Sequence, residues 1–453
     1  MKNKCLIAFF VILALLIAVS VLSISTAASD EDAVVLTATE APEWTSLFDR
    51  RGTWGWLGAD GIYSVALDGN DAFGSATEHT DTFFIFSDTL MGIAEHDGSV
   101  IKRADMPAQS SALLHGNIPA ESEISFVYGE GGSSAIGEHL FGEHKWMLDC
   151  LVHNDTLYIL GFPEENWKPQ SIDMISIPIE NGAPAYEKYE ETENIAQLWH
   201  KIGDEYLYAF GIGITANTVS AGAPDPDGYI YVYGYRDAMQ EMSRKDLIVG
   251  RIHERDFPNF ARFTYWNGEG WCDNIEDSDI LLSDVSCEMS VSVVPTGAYA
   301  GKYIAVYTRY TRSSDIMYAI GDTPHGPFDT PVKCYYATEN GEVGAGGEGA
   351  RVVYNAKAHP HLSKEDMLLV SYNVNVEGEG AEQWTTDYHP RFLWIDLDPT
   401  TAPVSYGAPS DVEINTTRNA VVFLLFLVVF FSGYCAAYLI KRKSHRKGKS
   451  DFT

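Results

Sequence analysis

Short runs of aromatic and aliphatic residues recur along the chain, separated by turns rich in Gly, Asp, Asn and Pro, while long helical periodicity is scarce. Five of these runs look alike, and they are Phe83–Asp88, Leu157–Phe162, Tyr229–Gly234, Tyr303–Thr308 and Met367–Tyr372. Their starts lie 74, 72, 74 and 64 residues apart, and a turn precedes each run. A period of about seventy residues in an all-β chain predicts a five-bladed β-propeller, in which each blade is a four-stranded sheet. Chance similarity between strands is the alternative.

In a propeller the first strand of every blade lines a central channel, so residues just upstream of each aromatic run should converge there. Three of the five positions carry a carboxylate among apolar or small residues, namely Asp60, Asp149 and Glu288. Converging carboxylates shift one another's pKa, and glycoside hydrolysis needs one protonated acid beside one ionised carboxylate. We therefore interpret these three residues as candidate catalytic groups. For each acid alone, a turn cap or a strand-end hydrogen bond is the alternative.

The two ends of the chain differ from the body. Two lysines and an uncharged apolar stretch predict a signal peptide at residues 1–28, with an uncleaved anchor as the alternative. Residues 420–440 carry no charge and precede a basic tail at 441–453, which predicts a transmembrane helix with a cytoplasmic tail. A stalk rich in Pro, Thr and Ser at 399–419 would connect this helix to an extracellular propeller at 42–398. The expected location is the cell membrane, with a single pass.

Charge narrows the choice of partners. The 453 residues contain 31 Lys and Arg against 63 Asp and Glu, a net charge of −32. Such an acidic protein repels phosphate backbones, so no nucleic-acid partner is expected and a neutral glycan fits better. No Cys-x-x-Cys pair occurs, which disfavours a thiolate zinc site. Of the cysteines in the body, Cys272 and Cys287 are the closest in sequence; a disulfide between them and free thiols are both compatible with the sequence.

Several ordered motifs resemble a known family. They are Asp60–Ser64 followed by Phe84–Thr89, Trp146-x-x-Asp149, Gly326–Phe328, Tyr354–Ala356 with His359-Pro360, Ser371–Asn373 with Asn375, and Pro390–Phe392. In this order they resemble an extracellular five-bladed propeller family of long-unknown function that includes endo-D-arabinanases and belongs to the furanosidase clan. The resemblance implies that Asp60 is nucleophile or base, Asp149 the orienting acid and Glu288 the proton donor. One departure is that Glu288 falls in the fourth repeat, whereas the clan's donor comes from the third.

Seven further residues are expected to bind substrate, and they are Trp54, Asp88, Trp146, Arg309, His359, Asn373 and Arg391. The tryptophans would stack on sugar faces and the arginines would bind hydroxyl groups, although such residues more often serve the core or an ion pair. No cofactor or metal is expected, but a central Ca²⁺ or other ion near His359 stays open. Two functions are therefore carried forward. One is a surface glycoside hydrolase acting on a neutral, furanose-containing glycan, and the other is a non-catalytic binding propeller, an adhesin or receptor.

Overall fold

The structure is a computed structural model that describes residues 34–52, 54–103, 106–132, 138–239, 244–382 and 384–399. Within these residues there is one α-helix, α1 (Pro42–Leu47), and all other long elements are strands, which confirms the predicted all-β class. Short 3₁₀ turns lie at Glu130–Gly132, Tyr186–Lys188, Phe260–Arg262, Ile275–Asp277, Gly297–Tyr299 and Pro360–Leu362.

The first strand of the chain pairs in the last sheet, and the strands that follow it form two antiparallel sheets. The strands are β1 (Thr37–Glu40), β2 (Gly55–Ala59), β3 (Tyr63–Ala66), β4 (Asp81–Phe86), β5 (Thr89–Ala94), β6 (Val100–Arg103), β7 (Ser110–His115) and β8 (Ile124–Val127). One sheet has the order β3-β4-β7-β8, and a smaller sheet has the order β2-β5-β6.

The next sheet along the chain has the order β9-β10-β13-β14, and β15 also pairs with β13. Strands β11 and β12 form a separate two-stranded ribbon. The bounds of these strands are β9 (Trp146–His153), β10 (Thr156–Phe162), β11 (Glu164–Glu165), β12 (Lys168–Pro169), β13 (Asp173–Glu180), β14 (Ala183–Pro184) and β15 (Glu190–Thr192).

The largest sheet follows and has the order β16-β17-β18-β19-β20-β21, with β22 also pairing with β19. Its strands are β16 (Trp199–Ile202), β17 (Tyr206–Asn217), β18 (Tyr229–Ala238), β19 (Lys245–His253), β20 (Thr264–Trp266), β21 (Trp271–Cys272) and β22 (Leu282–Ser283).

Two four-stranded sheets follow, with the orders β23-β24-β25-β26 and β27-β28-β29-β1. Their strands are β23 (Met289–Val293), β24 (Tyr303–Thr308), β25 (Asp315–Gly321), β26 (Val332–Tyr336), β27 (Ala350–Ala358), β28 (Met367–Glu377) and β29 (Arg391–Asp396). The last sheet thus takes its outer strand from the beginning of the chain, because Thr37 in β1 pairs with Asp396 in β29.

The innermost strands of successive sheets contact one another around an axis. Contacts join β3 to β9, β9 to β17, β17 to β23 and β23 to β27. Between the last and first of these strands, Ser64 Oγ lies 2.6 Å from His359 Nδ1. Radial sheets whose inner strands meet at a common axis define a β-propeller.

The five similar runs in the sequence occupy one equivalent position in the fold. They coincide with β4, β10, β18, β24 and β28, and each of these is the second strand counted from the axis. The burial of these strands explains why their sequences look alike. In β4, for example, all four residues of Phe83–Phe86 are fully buried. A second strand has sheet neighbours on both edges and adjacent sheets on both faces, so its sequence is almost continuously apolar.

Cys150, Cys272, Cys287 and Cys334 are free thiols in this structure, so Cys272 and Cys287 are not bonded. Within the described residues, no helix combines the length and apolar composition needed to cross a membrane. The predicted signal peptide, transmembrane helix and basic tail lie outside the described residues, as does the predicted stalk beyond Pro399.

Replacing Phe84 by Ala should destabilise the propeller strongly. The Phe84 ring is fully buried and makes an edge contact with Phe48 at a centroid distance of 5.5 Å. Removing a core phenylalanine leaves a cavity, so we expect the free energy of unfolding in urea to fall by about 3–5 kcal/mol. Ile118→Ala is the control, because Ile118 is 67% exposed and should change stability by less than about 0.5 kcal/mol. Equal effects of the two substitutions would contradict this packing.

Candidate active site

Asp60 lies in a turn between β2 and β3 that is fastened to the end of β4. Ser87 N donates to Asp60 O at 2.9 Å, and Asp60 N donates to Asp88 O at 3.2 Å. Gly61 has φ +76°, and a Cβ there would lie 2.9 Å from Ser87 Oγ. The Asp-Gly pair is therefore required by the backbone of this turn, which places Asp60 beside Asp88 at one end of the channel.

The Asp60 carboxyl group is half-buried and surrounded by other ionisable groups. Tyr354 Oη donates to its Oδ2 at 3.1 Å. The pKa of Asp60 is raised well above its ordinary value, first by burial and then by the nearby charges of Asp88 and Glu288. The hydrogen bond from Tyr354 and the charge of Lys357 oppose this shift of the pKa without cancelling it. The surroundings of Asp60 thus favour the protonated carboxyl group more than water does.

Glu288, directly before β23, has both carboxylate oxygens occupied. Lys357 Nζ donates to Oε2 at 2.5 Å, and Asn355 Nδ2 donates to Oε1 at 2.7 Å. The Lys357 side chain is only 1% exposed, donates also to Gly61 O at 3.3 Å and lies 4.3 Å from the centre of the Tyr63 ring. Burial raises the pKa of Glu288 above its ordinary value, and Lys357 opposes this shift without cancelling it. The ammonium group therefore favours the ionised form of Glu288 against the effect of burial.

A bulge in β27 positions the hydrogen-bond partners of Asp60 and Glu288. The pairing of β27 with β28 shifts register between Tyr354 and Lys357, and Asn355 between them adopts φ +58°. Such a bulge breaks the strict alternation of side chains along a strand. As a result Tyr354 reaches Asp60, while Asn355 and Lys357 both reach Glu288.

Asp88 connects the acids to a group of aromatic rings. Trp146 Nε1 donates to Asp88 Oδ1 at 3.1 Å. The Trp146 ring lies 5.9 Å from Phe162 and 5.6 Å from Trp167, whose side chain is 74% exposed. Burial raises the pKa of Asp88, and the hydrogen bond from Trp146 lowers it. A face of exposed and half-buried aromatic rings next to carboxyl groups is the chemistry used to stack sugar rings.

Asp149 is in a different environment from the other two predicted catalytic acids. Its Oδ1 accepts a hydrogen bond from Cys150 N at 2.8 Å, and its Oδ2 accepts one from Ile214 N at 2.6 Å. Burial raises the pKa of Asp149 to about 8, with a further contribution from the charge of Asp71, and the two backbone hydrogen bonds oppose the shift. Its acidic neighbour is therefore Asp71, whereas the acidic neighbours of Asp60 are Asp88 and Glu288.

A cavity of about 280 Å³ lies on the axis and is lined by residues from all five innermost strands. Asp149 and Tyr63 belong to its lining, but Asp60, Asp88 and Glu288 do not. The structure thus brings Asp60, Asp88 and Glu288 together, while Asp149 faces the axial cavity.

Two predicted binding residues lie in exposed or half-buried positions. Trp54 is 38% exposed, and Lys102 Nζ lies 4.9 Å from the centre of its ring. Arg309 follows β24, and its guanidinium carbon lies 5.1 Å from the centre of the Tyr310 ring. Neither contacts the three clustered carboxyl groups through a described hydrogen bond.

The structure places three other predicted binding residues away from the acids or inside the protein. His359 is fully buried, with its two ring nitrogens 2.6 Å from Ser64 Oγ and 2.8 Å from Ser371 Oγ. Asn373 is 1% exposed. Arg391 lines a second cavity of about 390 Å³ and donates to backbone oxygens of the segment before β29. His359 is therefore placed to hold sheets together rather than to contact a ligand.

Sequence reasoning assigned no role to Lys357, Tyr354 or Tyr388. Tyr388 Oη donates to the backbone oxygen of Asp88 at 2.8 Å, so its ring lies beside the acids. A lysine between two alanines, Ala356 and Ala358, was the available sign that Lys357 has a buried acidic partner. Within the described residues, no group of three or more His, Cys, Asp or Glu is arranged to hold a metal ion.

The chain belongs to the family described as "Domain of unknown function (DUF5005)", which matches residues 42–397. No curated protein matches the sequence. Among solved structures, a candidate hydrolase from Bacteroides ovatus is similar at 16% identity, over 81% of this chain and 92% of that one, with a TM-score of 0.58. This likeness agrees with the fold described above.

Two sugar-active proteins give weaker structural matches. The α-L-arabinofuranosidase from Podospora anserina, solved with cellotriose, has 10% identity over 77% of this chain and 98% of that one, with a TM-score of 0.38. The endo-arabinase from Bacteroides thetaiotaomicron has 9% identity over 78% of this chain and 100% of that one, with a TM-score of 0.35. These two scores are too low to establish a common fold.

Replacing Asp149 by Asn should flatten the pH dependence of stability. Because the pKa of Asp149 is raised from 3.8 to about 8 in the folded protein, its contribution is fully present below 3.8 and is lost as pH rises through about 8. One such group adds a slope of at most about 1.4 kcal/mol per pH unit. In urea titrations between about pH 5 and pH 8, wild-type stability should fall more steeply than that of Asp149→Asn. Asp204→Asn, at a carboxylate that is 96% exposed, should keep the wild-type slope. Equal slopes for wild type and Asp149→Asn would contradict the assignment.

Proposed function

We propose that this protein is a glycoside hydrolase acting on a neutral, furanose-containing glycan at the cell surface. The observation that carries the proposal is the pair formed by Asp60 and Glu288, two neighbouring carboxyl groups that are both buried among charges but differ in their hydrogen-bond partners. Asp60 has two acids nearby and accepts a hydrogen bond from a tyrosine, whereas Glu288 accepts one directly from a buried ammonium group. Glycoside hydrolysis requires this combination of a protonated acid and an ionised carboxylate.

In this proposal Asp60 donates the proton and Glu288 is the nucleophile or base, which is the reverse of what the family resemblance implies. Lys357 touches Glu288 directly, and an adjacent cation favours the ionised form of a carboxyl group. Asp60 has instead a tyrosine hydroxyl as its hydrogen-bond partner and two acids nearby. We assign Asp149 no part in proton transfer, because it faces the axial cavity.

The substrate would lie across the aromatic group next to Asp88. Trp146 and Trp167 offer ring faces to sugar rings, and Asp88 lies between those rings and Asp60. The net charge of −32 disfavours acidic polysaccharides, which supports a neutral glycan. An arabinan is one such substrate, as the resemblance to the endo-D-arabinanase family suggests.

We further propose that the sheets form one closed five-bladed ring, anchored to the membrane at its carboxyl end and facing the exterior. Five sheets of four or more strands among the described residues, with inner strands in successive contact, support this number of blades. The apolar segments at 1–28 and 420–440 support secretion and anchoring, respectively.

A binding propeller without turnover is the second candidate. The observation that favours it is that both oxygens of Glu288 already accept hydrogen bonds, from Asn355 and Lys357. A carboxylate held in this way is less available to attack a sugar or activate a water. In this candidate the aromatic rings would bind a glycan that is then released unchanged.

Asp60→Asn should lower the rate of glycan cleavage by about 10²–10⁴-fold, because it removes the proton donor. On a dinitrophenyl furanoside, whose leaving group needs no proton, the same variant should keep most of its activity. Glu288→Gln should lose activity on both substrates. Initial rates on the two substrates measure this difference, and Asp204→Asn serves as the surface control.

The opposite pattern, in which Glu288→Gln alone is spared on the activated substrate, would reverse the two roles. If the wild-type protein binds furanose glycans in calorimetry but releases no product from any of them, the hydrolase proposal is wrong and the binding propeller is the better account.

The proposed location can be tested on cells that express the full chain. Protease added to intact cells should remove the propeller and leave a short fragment that contains the basic residues 441–453, since the charges flanking 420–440 orient the tail inward. Immunoblotting with antibodies against each end detects the two parts. Protection of the propeller from protease would rule out this orientation.

A further inference from the structure

Asn355 in β27 combines an unusual backbone conformation with a buried side-chain amide. Its φ of +58° lies in the left-handed region, which asparagine adopts more readily than most other residues. It lies within the bulge, because the register of β27 against β28 shifts between Tyr354 and Lys357. The residue is only 5% exposed, so its side chain points into the protein. Glycine would meet the backbone requirement equally well, so the bulge does not explain the amide group.

Two donors from the segment before β23 hold the oxygen of this amide. Ser286 Oγ and Cys287 Sγ each donate to Asn355 Oδ1 at 3.3 Å. Ser286 is fully buried, and burial raises the pKa of the Cys287 thiol, which therefore keeps the proton that it donates. A side-chain amide has one accepting end and one donating end. Fixing its oxygen in this way leaves its nitrogen to bond elsewhere.

The nitrogen of the same amide contacts the carboxylate that we propose as nucleophile or base. Asn355 Nδ2 donates to Glu288 Oε1 at 2.7 Å, while Lys357 Nζ donates to Glu288 Oε2 at 2.5 Å. Turning the amide by half a rotation would place its oxygen against the carboxylate, and two acceptors repel each other. The orientation of the Asn355 amide is therefore set at both of its ends.

The two contacts on Glu288 constrain it in different ways. A lysine ammonium group is a compact charge without a preferred plane, so by itself it leaves a carboxylate free to turn about its own bond. A second donor on the other oxygen fixes the plane of the carboxylate. An ionised carboxylate has about four acceptor positions, and these two hydrogen bonds use two of them. The Glu288 carboxylate is thus fixed in direction and retains acceptor positions for a reaction.

We infer that Asn355 is a positioning residue that orients the Glu288 carboxylate for the reaction. Ser286 and Cys287 act one step further away, because they fix the orientation of the Asn355 amide. This inference rests on the proposed role of Glu288 in glycoside hydrolysis. It adds that turnover requires the side chain of Asn355 and that the bulge alone is not sufficient.

Asn355→Gly separates the side chain from the backbone. Glycine adopts a positive φ without steric cost, so the bulge should persist while the amide is lost. On the dinitrophenyl furanoside we expect kcat to fall by about 10–10²-fold, the cost of a misplaced reacting group, with KM nearly unchanged. Asn181→Gly is the matched control, since Asn181 is exposed and has φ +54° in the turn between β13 and β14. This control should keep the wild-type kinetics.

Substitutions at the outer contacts test whether Ser286 and Cys287 act through the amide. Cys287→Ser keeps a donor beside Asn355 Oδ1 and should keep most of the activity. Cys287→Ala combined with Ser286→Ala should lower kcat as Asn355→Gly does, but by less. Cys334→Ala is the control, because Cys334 is a buried thiol in β26, the outer strand of that sheet, and its loss should leave kcat unchanged. Circular dichroism establishes that each variant is folded.

Crystal structures of the wild-type protein and of Asn355→Gly test the inference without any substrate. We expect the Glu288 carboxylate to turn away from its wild-type direction in the variant, while the register of β27 stays the same. If Asn355→Gly does not fold, the double variant of Ser286 and Cys287 is crystallised instead. A carboxylate that keeps its direction, an unchanged kcat, or a loss of kcat that Asn181→Gly shares would overturn the inference.

Failure of the hydrolase proposal gives a different result. A wild-type protein that hydrolyses no furanoside would refute that proposal, because kcat could then not be measured for any variant. The direction of the Glu288 carboxylate in the two crystal structures would still decide whether Asn355 positions it.

Discussion

The buried ion pair of Glu288 and Lys357 joins the parts of the molecule on which the site depends. Lys357 belongs to the last innermost strand, Glu288 precedes the fourth, and the same ammonium group donates to Gly61 O next to the first. Burying two such charges costs several kcal/mol each, and the hydrogen bond from Asn355 and the ring of Tyr63 help to offset this cost. One contact therefore links strands from the beginning and the end of the domain and also acts on the pKa of Asp60 and Glu288.

Sequence patterns located the sheets because the second strand of each is the most apolar one. These strands are buried on both faces, as in Phe83–Phe86, so they stand out as repeated runs, whereas the channel-facing strands carry polar residues and do not. Once one strand of each sheet was located, the residues that line the channel could be expected just before it in the sequence. The positions of Asp60 and Glu288 followed from that, since Asp60 lies in the turn that leads into β3 and Glu288 comes directly before β23.

The position of Asp149 and the contacts of Tyr354 and Lys357 depended on local strand geometry, which a sequence repeat does not show. Asp149 is the fourth residue of β9 rather than the residue before it, so it lies about 10 Å further along the channel than Trp146, at roughly 3.3 Å per residue. Tyr354 and Lys357 reach the acids only because the strand bulges at Asn355, and a bulge has no pattern that alternation can predict. The family motif contained Tyr354 and Asn355 but not Lys357, and it indicated none of their contacts.

The pairing of β1 with β29 has a consequence for how the chain acquires its fold. Thr37 and Asp396 are directly opposite each other, so the last sheet needs both ends of the domain. During synthesis the early sheets can form as they emerge, but β1 must wait, unpaired, until nearly the whole domain has been made. An unpaired strand edge is prone to wrong associations, and this delay makes the amino-terminal strand the vulnerable part of the nascent chain. Because β1 and β29 are neighbours, the two ends of the domain could be joined and a loop elsewhere opened to give a circular permutant. In that permutant β1 would be synthesised directly after its partner β29.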